Sequence, residues 1–393
     1  MQGNLAKSAG QKWSRRAQSV HVIGDGCAGL SLAAQAGVLP YHQITILRPE
    51  NAPDSLDHIW GFWQVKGLEI AASLAHCKWS NWCIKTSEGS VVMTSESHSY
   101  HALRRSKWET YCRQQANNSG VIFADQNSAK PDPTAQILDS RPPQIPKGQM
   151  IQHFIGWEIH AATGSFDPTT AILMDFRCDQ SRGIHFIYLL PFSSSSALVE
   201  STMFSQHREP DVFFESAIRE YLLLELGIDE FQIINTETGA IPLGRLPPNN
   251  TGTVGIGGNG GAIRPSSGYA FTFIQKQIAA TIDSAKSLGT RHGSPLVVKR
   301  PHKTFDLWMD EVFITVLRNW PSVAAGLFLR MARALSGDEF ALFLSGEANS
   351  KLRAKVVLSM PKWVFLKAVV LLMLGRYGFV PNYSRRKAPS GHA

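Results

Sequence analysis

The sequence has few cysteines, and their arrangement excludes two common ways of stabilising a protein. The 393 residues include five cysteines, an odd number, and no two of them form a CxxC pair. They are scattered: Cys27, Cys77, Cys83, Cys112 and Cys178. A disulfide framework and a zinc ribbon are therefore not expected. The HSYH stretch at residues 98–101 lacks a third metal ligand, so no metal site is predicted, and a reducing, cytoplasmic location is expected.

Long apolar runs are also missing. The first 18 residues are polar and basic and lack an apolar segment, which predicts a basic leader and not a signal peptide. Residues 363–374 form an apolar run of 12 residues that contains Lys367, whereas a membrane span needs about 20 apolar residues. Basic residues surround this run. It therefore predicts an amphipathic helix on a membrane surface, with a core helix that has a basic solvent face as the equal alternative.

Charged residues make up only 18% of the chain, too few for a disordered protein, and 44% of the residues are hydrophobic. Lys and Arg total 39 against 31 for Asp and Glu, which gives a net charge of +8. Such an excess suits nucleic acid or an anionic membrane surface. Ten Trp and twenty Phe favour a large apolar pocket or a membrane-facing surface. The basic residues concentrate at the termini without a recognisable nucleic-acid module, so no nucleic-acid partner is expected.

A glycine-rich turn near the start of the chain predicts a dinucleotide site. The apolar run 20–23 predicts a strand, and Gly24, Gly26 and Gly29 follow it in a GxGxxG pattern. A small-residue helix and a second strand at residues 43–47 complete a βαβ unit. Glycines let the backbone approach a pyrophosphate, and the helix N-terminus offers unpaired N–H groups. A glycine-rich turn without a ligand is the alternative.

The residue that would bind the ribose of this nucleotide is ambiguous. An acid is expected close after the second strand. This chain has Arg48 directly after Leu47, and Glu50 follows two residues later. Glu50 is the candidate ribose ligand, through a slightly longer loop, while Arg48 is an alternative contact for a phosphate.

A second glycine cluster lies far along the chain, at residues 255–261, and is followed by Gly268 and a predicted helix over 270–287. An NAD dehydrogenase has no need of this second element. A protein that wraps FAD uses it to bring a helix N-terminus to the flavin ring, where it stabilises negative charge on the reduced flavin. The sequence therefore predicts FAD as the cofactor, with Gly260, Gly261 and Gly268 among the residues that bind it.

Between the two glycine-rich elements the pattern changes to β-alternation, with strands predicted over 151–160, 171–175, 185–190 and 197–202. From about Phe305 onward the pattern is helical. The predicted fold class is α/β: an FAD-binding Rossmann-like domain of the glutathione-reductase type, an inserted, mostly antiparallel β-sheet substrate domain, and a helical C-terminal part. The predicted parts are a leader (1–18), two FAD-binding segments (19–145 and 251–300), the substrate sheet (146–250) and the C-terminal helices (301–393).

Six short motifs are more specific than GxGxxG. They are HIWGFW (58–63), MDFRCDQ (174–180), YLLPFS (188–193), LVEST (198–202), ETGAIP (237–242) and GGAIRPSSGY (260–269). In this order and spacing, from about Val20 to Ser345, they resemble the bacterial lycopene β-cyclase family. The resemblance implies an isomerase (an intramolecular lyase) of carotenoid biosynthesis, in which reduced FAD, with NADPH as the usual reductant, assists a reaction without net redox change. Lycopene would be converted to γ-carotene and then β-carotene.

Carried over residue by residue, Glu200 matches the acid of the family's Leu-Ile-Glu-Asp-Thr-like motif and is the candidate proton donor. Ser201 stands where the family often has a second acid, and Arg264 stands where the family has a His. Asp175 is the second candidate catalytic residue. A carboxylic acid in an apolar cavity has a raised pKa and stays protonated near neutral pH. Aromatic faces would stabilise the resulting carbocation by about 1–2 kcal/mol each, with three candidates in the first motif: Trp60, Phe62 and Trp63.

Each assignment has an alternative. Glu200 would be a rim residue of an edge strand, Asp175 a turn cap, and the aromatic residues of the first motif ordinary core. Glu237 would orient backbone near the flavin. The whole chain would be an FAD-dependent monooxygenase, an isoprenoid reductase or a non-catalytic carotenoid-binding flavoprotein. The expected partners are a carotene and a membrane surface, with no obligate protein partner, and the expected location is cytoplasmic and peripheral to the membrane.

Overall fold

The computed structural model describes residues 17–50, 52, 56–128, 132–247, 252–287 and 294–376. Most of the predicted basic leader and the basic residues beyond 376 lie outside these ranges.

Fifteen β-strands form among the described residues: β1 (Gln18–Ile23), β2 (His42–Arg48), β3 (Ile59–Trp63), β4 (Cys77–Trp79), β5 (Asn81–Thr86), β6 (Gly89–Thr94), β7 (Tyr100–Arg104), β8 (Ile122–Asp125), β9 (Gln136–Asp139), β10 (Ile151–His160), β11 (Thr170–Asp175), β12 (Ile184–Pro191), β13 (Ser196–Ser205), β14 (Gln232–Pro242) and β15 (Val254–Gly255). The same residues form ten α-helices: α1 (Cys27–Ala33), α2 (Glu69–Ser73), α3 (Arg105–Asn118), α4 (Asp211–Leu226), α5 (Phe271–Ser287), α6 (Thr304–Asn319), α7 (Ala324–Ala334), α8 (Gly337–Leu344), α9 (Ser350–Ser359) and α10 (Lys362–Arg376).

The first sheet is parallel and has the strand order β15-β9-β1-β2-β8. Its central strands are apolar on both faces because helices cover both sides; Val20, Val22 and Ile44 are fully buried. The predicted βαβ unit at the start of the chain is confirmed. Strand β9, which ends in Asp139, pairs with β1 on its other side. Parallel strands bring their carboxyl ends to one edge, and Gly24 follows β1 at that edge.

The second sheet has seven strands in the order β14-β10-β13-β12-β11-β5-β6. All neighbours are antiparallel except β11 and β5, so the prediction of a mostly antiparallel sheet is confirmed. Strands β5 and β6 belong to this second sheet, although in the sequence they lie within the predicted first FAD-binding segment (19–145). The chain therefore interleaves the two sheets, and α4 covers one face of the second.

A small third sheet, β3-β7-β4, is antiparallel and carries the HIWGFW motif. It closes the space between the two larger sheets. In β3, Gly61 is required by packing, since a Cβ at this position would overlap the Tyr100 hydroxyl.

Helices α6 to α10 pack against the face of the second sheet opposite α4 and complete its apolar core. Within the described part of the chain, no single helix is long and apolar enough to cross a membrane. Two bent pairs have the length and composition when both helices are counted together: Thr304–Asn319 with Pro321–Ala334 at 110°, and Ser350–Ser359 with Lys362–Gly375 at 109°.

Candidate active site

A cavity of about 380 Å³ lies between the second and third sheets, α1 and α5. Its walls come from separate parts of the chain and include Cys27 of α1, Trp60 of β3, Tyr188 of β12, Glu200 of β13, Gly268 and Phe271. The structure thus brings Cys27, which comes directly after the first glycine-rich turn, Gly268 and the predicted proton donor to one place. The lining is mainly apolar, with few polar groups among aromatic and aliphatic side chains.

Glu200 lies in the interior of β13 and not on an edge strand, because β10 and β12 flank that strand. Its side chain is buried, at 9% exposure, and lines the cavity. The Thr202 hydroxyl donates a hydrogen bond to Oε1 of Glu200 at 2.5 Å. The third residue of the LVEST motif therefore places a carboxyl group at the wall of an apolar cavity.

Glu237 lies beside Glu200, on the other side of one glycine. Gly156 of β10 pairs with Glu200 of β13 and with Glu237 of β14, so the three residues lie in one row across the sheet. Because Gly156 has no side chain, the two glutamates lean over it and hydrogen-bond to each other. A Cβ on Gly156 would lie 3.0 Å from Cγ of Glu237.

Burial sets the protonation of this pair. Desolvation, followed by the neighbouring Glu237, raises the pKa of Glu200 well above its ordinary value. Desolvation raises the pKa of Glu237 to about 7, although the Ile59 N–H, which donates to Oε2 of Glu237 at 2.8 Å, opposes the shift. Glu200 therefore carries a proton at neutral pH, which a general acid requires.

Three tyrosines that were not among the predicted site residues surround Glu200. Tyr100, Tyr188 and Tyr269 line the cavity, and the hydroxyl of Tyr269 hydrogen-bonds with the other two hydroxyls. Burial raises the pKa of Tyr269 to about 12 and those of the other two well above their ordinary values. They are neutral hydrogen-bonding groups next to the acid. The tyrosines come from three separate elements, so no local motif predicts their meeting.

Only one of the three aromatic residues proposed from the first motif reaches the cavity. Trp60 lines it and stacks on Phe271, with ring centroids 5.4 Å apart. Phe62 and Trp63 are fully buried and do not belong to its walls; Trp63 packs edge-on against Trp82. Their core packing agrees with the alternative interpretation of these two residues.

Asp175, the second predicted catalytic residue, does not lie in the cavity wall with Glu200. Its side chain is fully buried, accepts hydrogen bonds from Nε and Nη2 of Arg177 at 2.9 and 2.7 Å, and accepts the Tyr221 hydroxyl of α4 at 3.0 Å. The register of β11 against β12 shifts between Ile172 and Asp175, and this irregularity turns the carboxylate toward α4. The geometry therefore gives Asp175 a structural ion pair on the opposite face of the sheet.

The first glycine-rich turn has the backbone that its sequence predicts. Gly24 has φ +101°, a conformation that favours glycine, and a Cβ there would lie 2.8 Å from Oγ of Ser140. A Cβ on Gly29 would overlap the carbonyl oxygen of Gly24. Gly26 faces open space, since the nearest described atom to a Cβ there is Nη2 of Arg105 at 3.8 Å. Gly24 and Gly29 make the turn, and Gly26 leaves room beside it.

The late glycine-rich loop packs directly on the early one. A Cβ on Gly257 would overlap Ala28 of α1. Gln277 of α5 holds the loop by accepting from the N–H of Gly257 at 2.7 Å and donating to the carbonyl of Gly260 at 3.0 Å. Gly261 has φ +77°, and a Cβ there would meet no described atom within 4 Å. The two glycine-rich elements are therefore in direct contact, and Gly261 leaves room at this contact.

The residues at this place fit a bound flavin nucleotide. Gly268 has φ +70°, and a Cβ there would overlap Oε1 of Gln152. Among the described residues, that buried acceptor and the Ser267 hydroxyl have no hydrogen-bond partner, and both side chains line the cavity. A heterocycle with donor and acceptor groups would satisfy them.

Two further residues singled out from the sequence lie away from the cavity walls. Glu50 is exposed after β2 and accepts a hydrogen bond from Asn127, near Arg48 at the same edge of the parallel sheet. Arg264 is buried, pairs with Asp310 at 3.4 Å and donates to the carbonyl of Phe343 at 2.5 Å. The charge of Arg264 is thus balanced by an acid of α6.

A second cavity, of about 400 Å³, lies among the C-terminal helices. It is lined almost entirely by apolar side chains of α6, α7, α9 and α10, such as Phe313, Met331, Val356 and Phe365. Ser267 belongs to the walls of both cavities.

The parallel βαβ sheet, the paired glycine-rich elements and the inserted sheet define the fold class as the FAD-binding Rossmann-like fold of flavin-dependent enzymes. A geranylgeranyl bacteriochlorophyll reductase-like protein from Thermoplasma acidophilum has a similar structure, with a TM-score of 0.55 and 13% identity over 91% of this chain and 99% of that one. A flavin-dependent halogenase from Xanthomonas campestris matches with a TM-score of 0.51 and 12% identity, over 94% and 90% of the two chains. A tryptophan 6-halogenase from Streptomyces toxytricini matches with 0.51 and 10%, over 92% and 99%. These likenesses establish the fold.

The chain belongs to the lycopene cyclase family: the family's sequence profile, described as lycopene cyclase protein, matches residues 19–369. The chloroplastic lycopene beta cyclase of Arabidopsis thaliana is 34% identical over 114 residues, which are 28% of this chain and 22% of that relative. The alignment therefore spans about a fifth of the relative's length. The family resemblance drawn from the six motifs is confirmed.

Proposed function

We propose that this protein is a lycopene β-cyclase, an isomerase that closes the acyclic ends of lycopene into β-ionone rings. The observation that carries the proposal is the buried carboxyl group of Glu200 at the wall of a mainly apolar cavity. An acid held neutral in such a place can protonate a hydrocarbon double bond. Membership of the lycopene cyclase family supports a carotene as the substrate.

Glu200 donates its proton to the terminal double bond of the carotene, which leaves a tertiary carbocation. The apolar walls exclude water that would trap this cation, and the face of Trp60 attracts it. Ring closure and loss of a proton then give the cyclic product, so that protons taken up and released balance. The buried tyrosine hydroxyls around Glu200 stay neutral and do not compete as acids.

We propose FAD as the cofactor, held by the two glycine-rich elements with Gly24, Gly26, Gly29, Gly260, Gly261 and Gly268. When bound and reduced, with NADPH as the reductant, it would supply negative charge that stabilises the cation. Gln152 and Ser267, each with an unpartnered polar atom, belong to the wall of the cavity beside these elements. Glu50 is the proposed ribose ligand.

Expression of the chain in a lycopene-accumulating bacterial host tests the proposal. Lycopene is expected to be converted to γ-carotene and β-carotene, which chromatography and loss of the red absorption bands would show. NADPH is expected to be needed only in catalytic amounts. Stoichiometric consumption of NADPH would favour the isoprenoid reductase or monooxygenase instead, and unchanged lycopene with a folded, FAD-loaded protein would contradict the cyclase.

The apolar substrate dissolves in lipid, and the C-terminal helices support a peripheral membrane location. On α9 and α10, Leu358 is 71% and Trp363 80% exposed, and Leu366 is exposed beside them. Exposed Lys351 and Lys367 lie on the same helices. The apolar cavity lies directly beneath, with Leu366 in its wall. A surface that combines exposed apolar side chains with neighbouring lysines binds anionic bilayers.

The double substitution Leu358→Glu with Trp363→Glu is expected to reduce binding to vesicles containing anionic lipid by about tenfold or more, because two apolar anchors become negative charges. Co-sedimentation with the vesicles measures this. The matched control is Val212→Glu with Leu224→Glu on α4, two exposed apolar positions on the opposite side of the second sheet. Equal loss of binding in both variants would contradict a specific membrane face.

A further inference from the structure

We infer that Glu237 is a positioning residue for the Glu200 acid: the two carboxyl groups form a pair across Gly156, and neutral Glu237 donates a hydrogen bond to the carboxylate that Glu200 becomes when its proton leaves. The inference rests on the proposed cyclase reaction and assigns a second acid to it.

The first observation is the register. Glu200, Gly156 and Glu237 occupy one row of three neighbouring strands, and their side-chain positions lie on the same face of the sheet. Adjacent strands lie about 4.8 Å apart, so the two glutamate backbones are separated by two such spacings. Only a residue without a side chain between them lets the carboxyl groups meet, and Gly156 is that residue.

The second observation is that the two acids face different surroundings. Glu200 belongs to the cavity wall, whereas Glu237 is not among the residues that line the cavity and is 3% exposed. Oε2 of Glu237 accepts the N–H of Ile59, at the start of the strand that carries Trp60. Glu237 therefore lies next to Glu200 but outside the cavity wall, and it affects the substrate only through Glu200.

The third observation is the pattern of hydrogen bonds on Glu200. Thr202 already donates to Oε1 of Glu200. A second donor to the carboxylate would complete the stabilisation of the conjugate base, and a neutral Glu237 carboxyl provides it. Hydrogen bonds to the charged form favour that form, so this arrangement makes Glu200 a stronger acid when Glu237 is neutral.

Glu200 gives up a proton and later regains one. The O–H bond of Glu200 breaks, its proton forms the new C–H bond of the substrate, and the electron pair stays on the carboxylate. Thr202 and Glu237 hold that carboxylate by hydrogen bonds while the ring closes. The ring-closed cation then loses a proton to the same carboxylate, so the pair begins and ends with two protons.

Ionisation of Glu237 weakens the acid. The pKa of Glu237 is raised to about 7 by burial. Below this pH both carboxyl groups are neutral. Above it Glu237 is negative, and the proton of Glu200 would have to leave against an adjacent negative charge. The other titratable or charged groups that face the pair are the Arg104–Glu158 ion pair beside Glu237, the hydroxyls of Tyr100, Tyr188 and Tyr269 beside Glu200, and His58 in the cavity wall.

The decisive variant is Glu237→Gln. Its amide oxygen can accept the N–H of Ile59 and its amide nitrogen can donate to Glu200, so it copies the neutral form of Glu237 at every pH. Initial rates of lycopene cyclisation are measured with the full chain, reduced FAD and lycopene in vesicles between pH 6 and 9. The wild-type rate is expected to fall about tenfold per pH unit above about 7, and thus to be about 30-fold lower at pH 8.5.

The Glu237→Gln variant is expected to keep most of the wild-type rate at pH 6 and to stay level through pH 8.5. Glu220→Gln, a matched change on the exposed face of α4, is expected to keep the wild-type profile. If the rate of the Glu237→Gln variant also fell above about pH 7, the inference would be overturned, because the loss of rate would then arise from the cofactor or another group. Failure of the wild type to cyclise lycopene at any pH would count against the proposed function instead.

Infrared spectroscopy tests the pair without turnover. A buried carboxylic acid band that disappears as the pH rises through about 7 is expected in the wild type and absent in Glu237→Gln. A wild-type spectrum without such a titration would overturn the inference even if the variant did not fold.

Discussion

Replacement of Glu200 by Gln is expected to reduce the rate of lycopene cyclisation by about a thousandfold, within the range that general-acid catalysis contributes. The amide has nearly the same shape and can still accept the Thr202 hydroxyl, which now donates to Oε1 at 2.5 Å. It has no proton acidic enough to transfer to carbon. The fold and the FAD content are expected to stay unchanged, because Glu200 belongs to the wall of a preformed cavity.

The measurement is the rate of γ-carotene and β-carotene formation by purified protein with reduced FAD, normalised to bound flavin. Glu220→Gln on the surface of α4 is the control for the loss of one acid. Cyclisation at the wild-type rate in Glu200→Gln would remove this residue from the role of proton donor. Loss of both flavin and activity would assign Glu200 to the architecture of the cavity.

The second large effect concerns stability. Asp175→Ala is expected to lower the free energy of unfolding by about 3 kcal/mol, because it removes the acceptor of two charge-assisted bonds from Arg177 and leaves the buried hydroxyl of Tyr221 without this partner. Arg177 keeps an ion pair with Glu225 at 2.5 Å and is partly exposed, which limits the loss.

Denaturant unfolding of the FAD-loaded protein measures this change. The control is Asp179→Ala in the neighbouring turn, where the exposed carboxylate bonds to no described residue other than Ser181. A change within about 0.5 kcal/mol is expected there. The rate of cyclisation per folded Asp175→Ala protein is expected to stay near that of the wild type. A stable Asp175→Ala protein without activity would restore Asp175 to the list of catalytic residues.

Asp175 also shows where prediction from the sequence reaches its limit. Strict alternation along β11 places Asp175 on the face of Ala171 and Leu173, which is also the face of Glu200. In the structure Leu173 and Met174 both pack on that side, so the extra residue of a bulge turns Asp175 to the face of α4. A bulge depends on the partner strands, and these are not visible in the local pattern.

Other parts of the site were predictable because they are local. The GxGxxG turn needs a strand before it and a helix after it, and the sequence displays both around Gly24 and Gly29. Glu200 follows from the LVEST motif. The position of Glu237 behind Glu200 depends instead on two strand pairings that meet at Gly156, 44 residues before one acid and 81 before the other. The meeting of the three tyrosines is non-local in the same way.

The contact between Gly257 and Ala28 has a consequence for how the protein comes to exist. The loop that closes against the early turn, and the short strand β15 that precedes this loop, are synthesised more than 200 residues after that turn. Strands β5 and β6 likewise cannot join the second sheet until β11, which pairs with β5, has been synthesised. Contacts between such distant segments slow folding. In a nascent chain the first nucleotide-binding half therefore stays unfinished until the ribosome has added more than 200 further residues, and helices α6 to α10 follow later still.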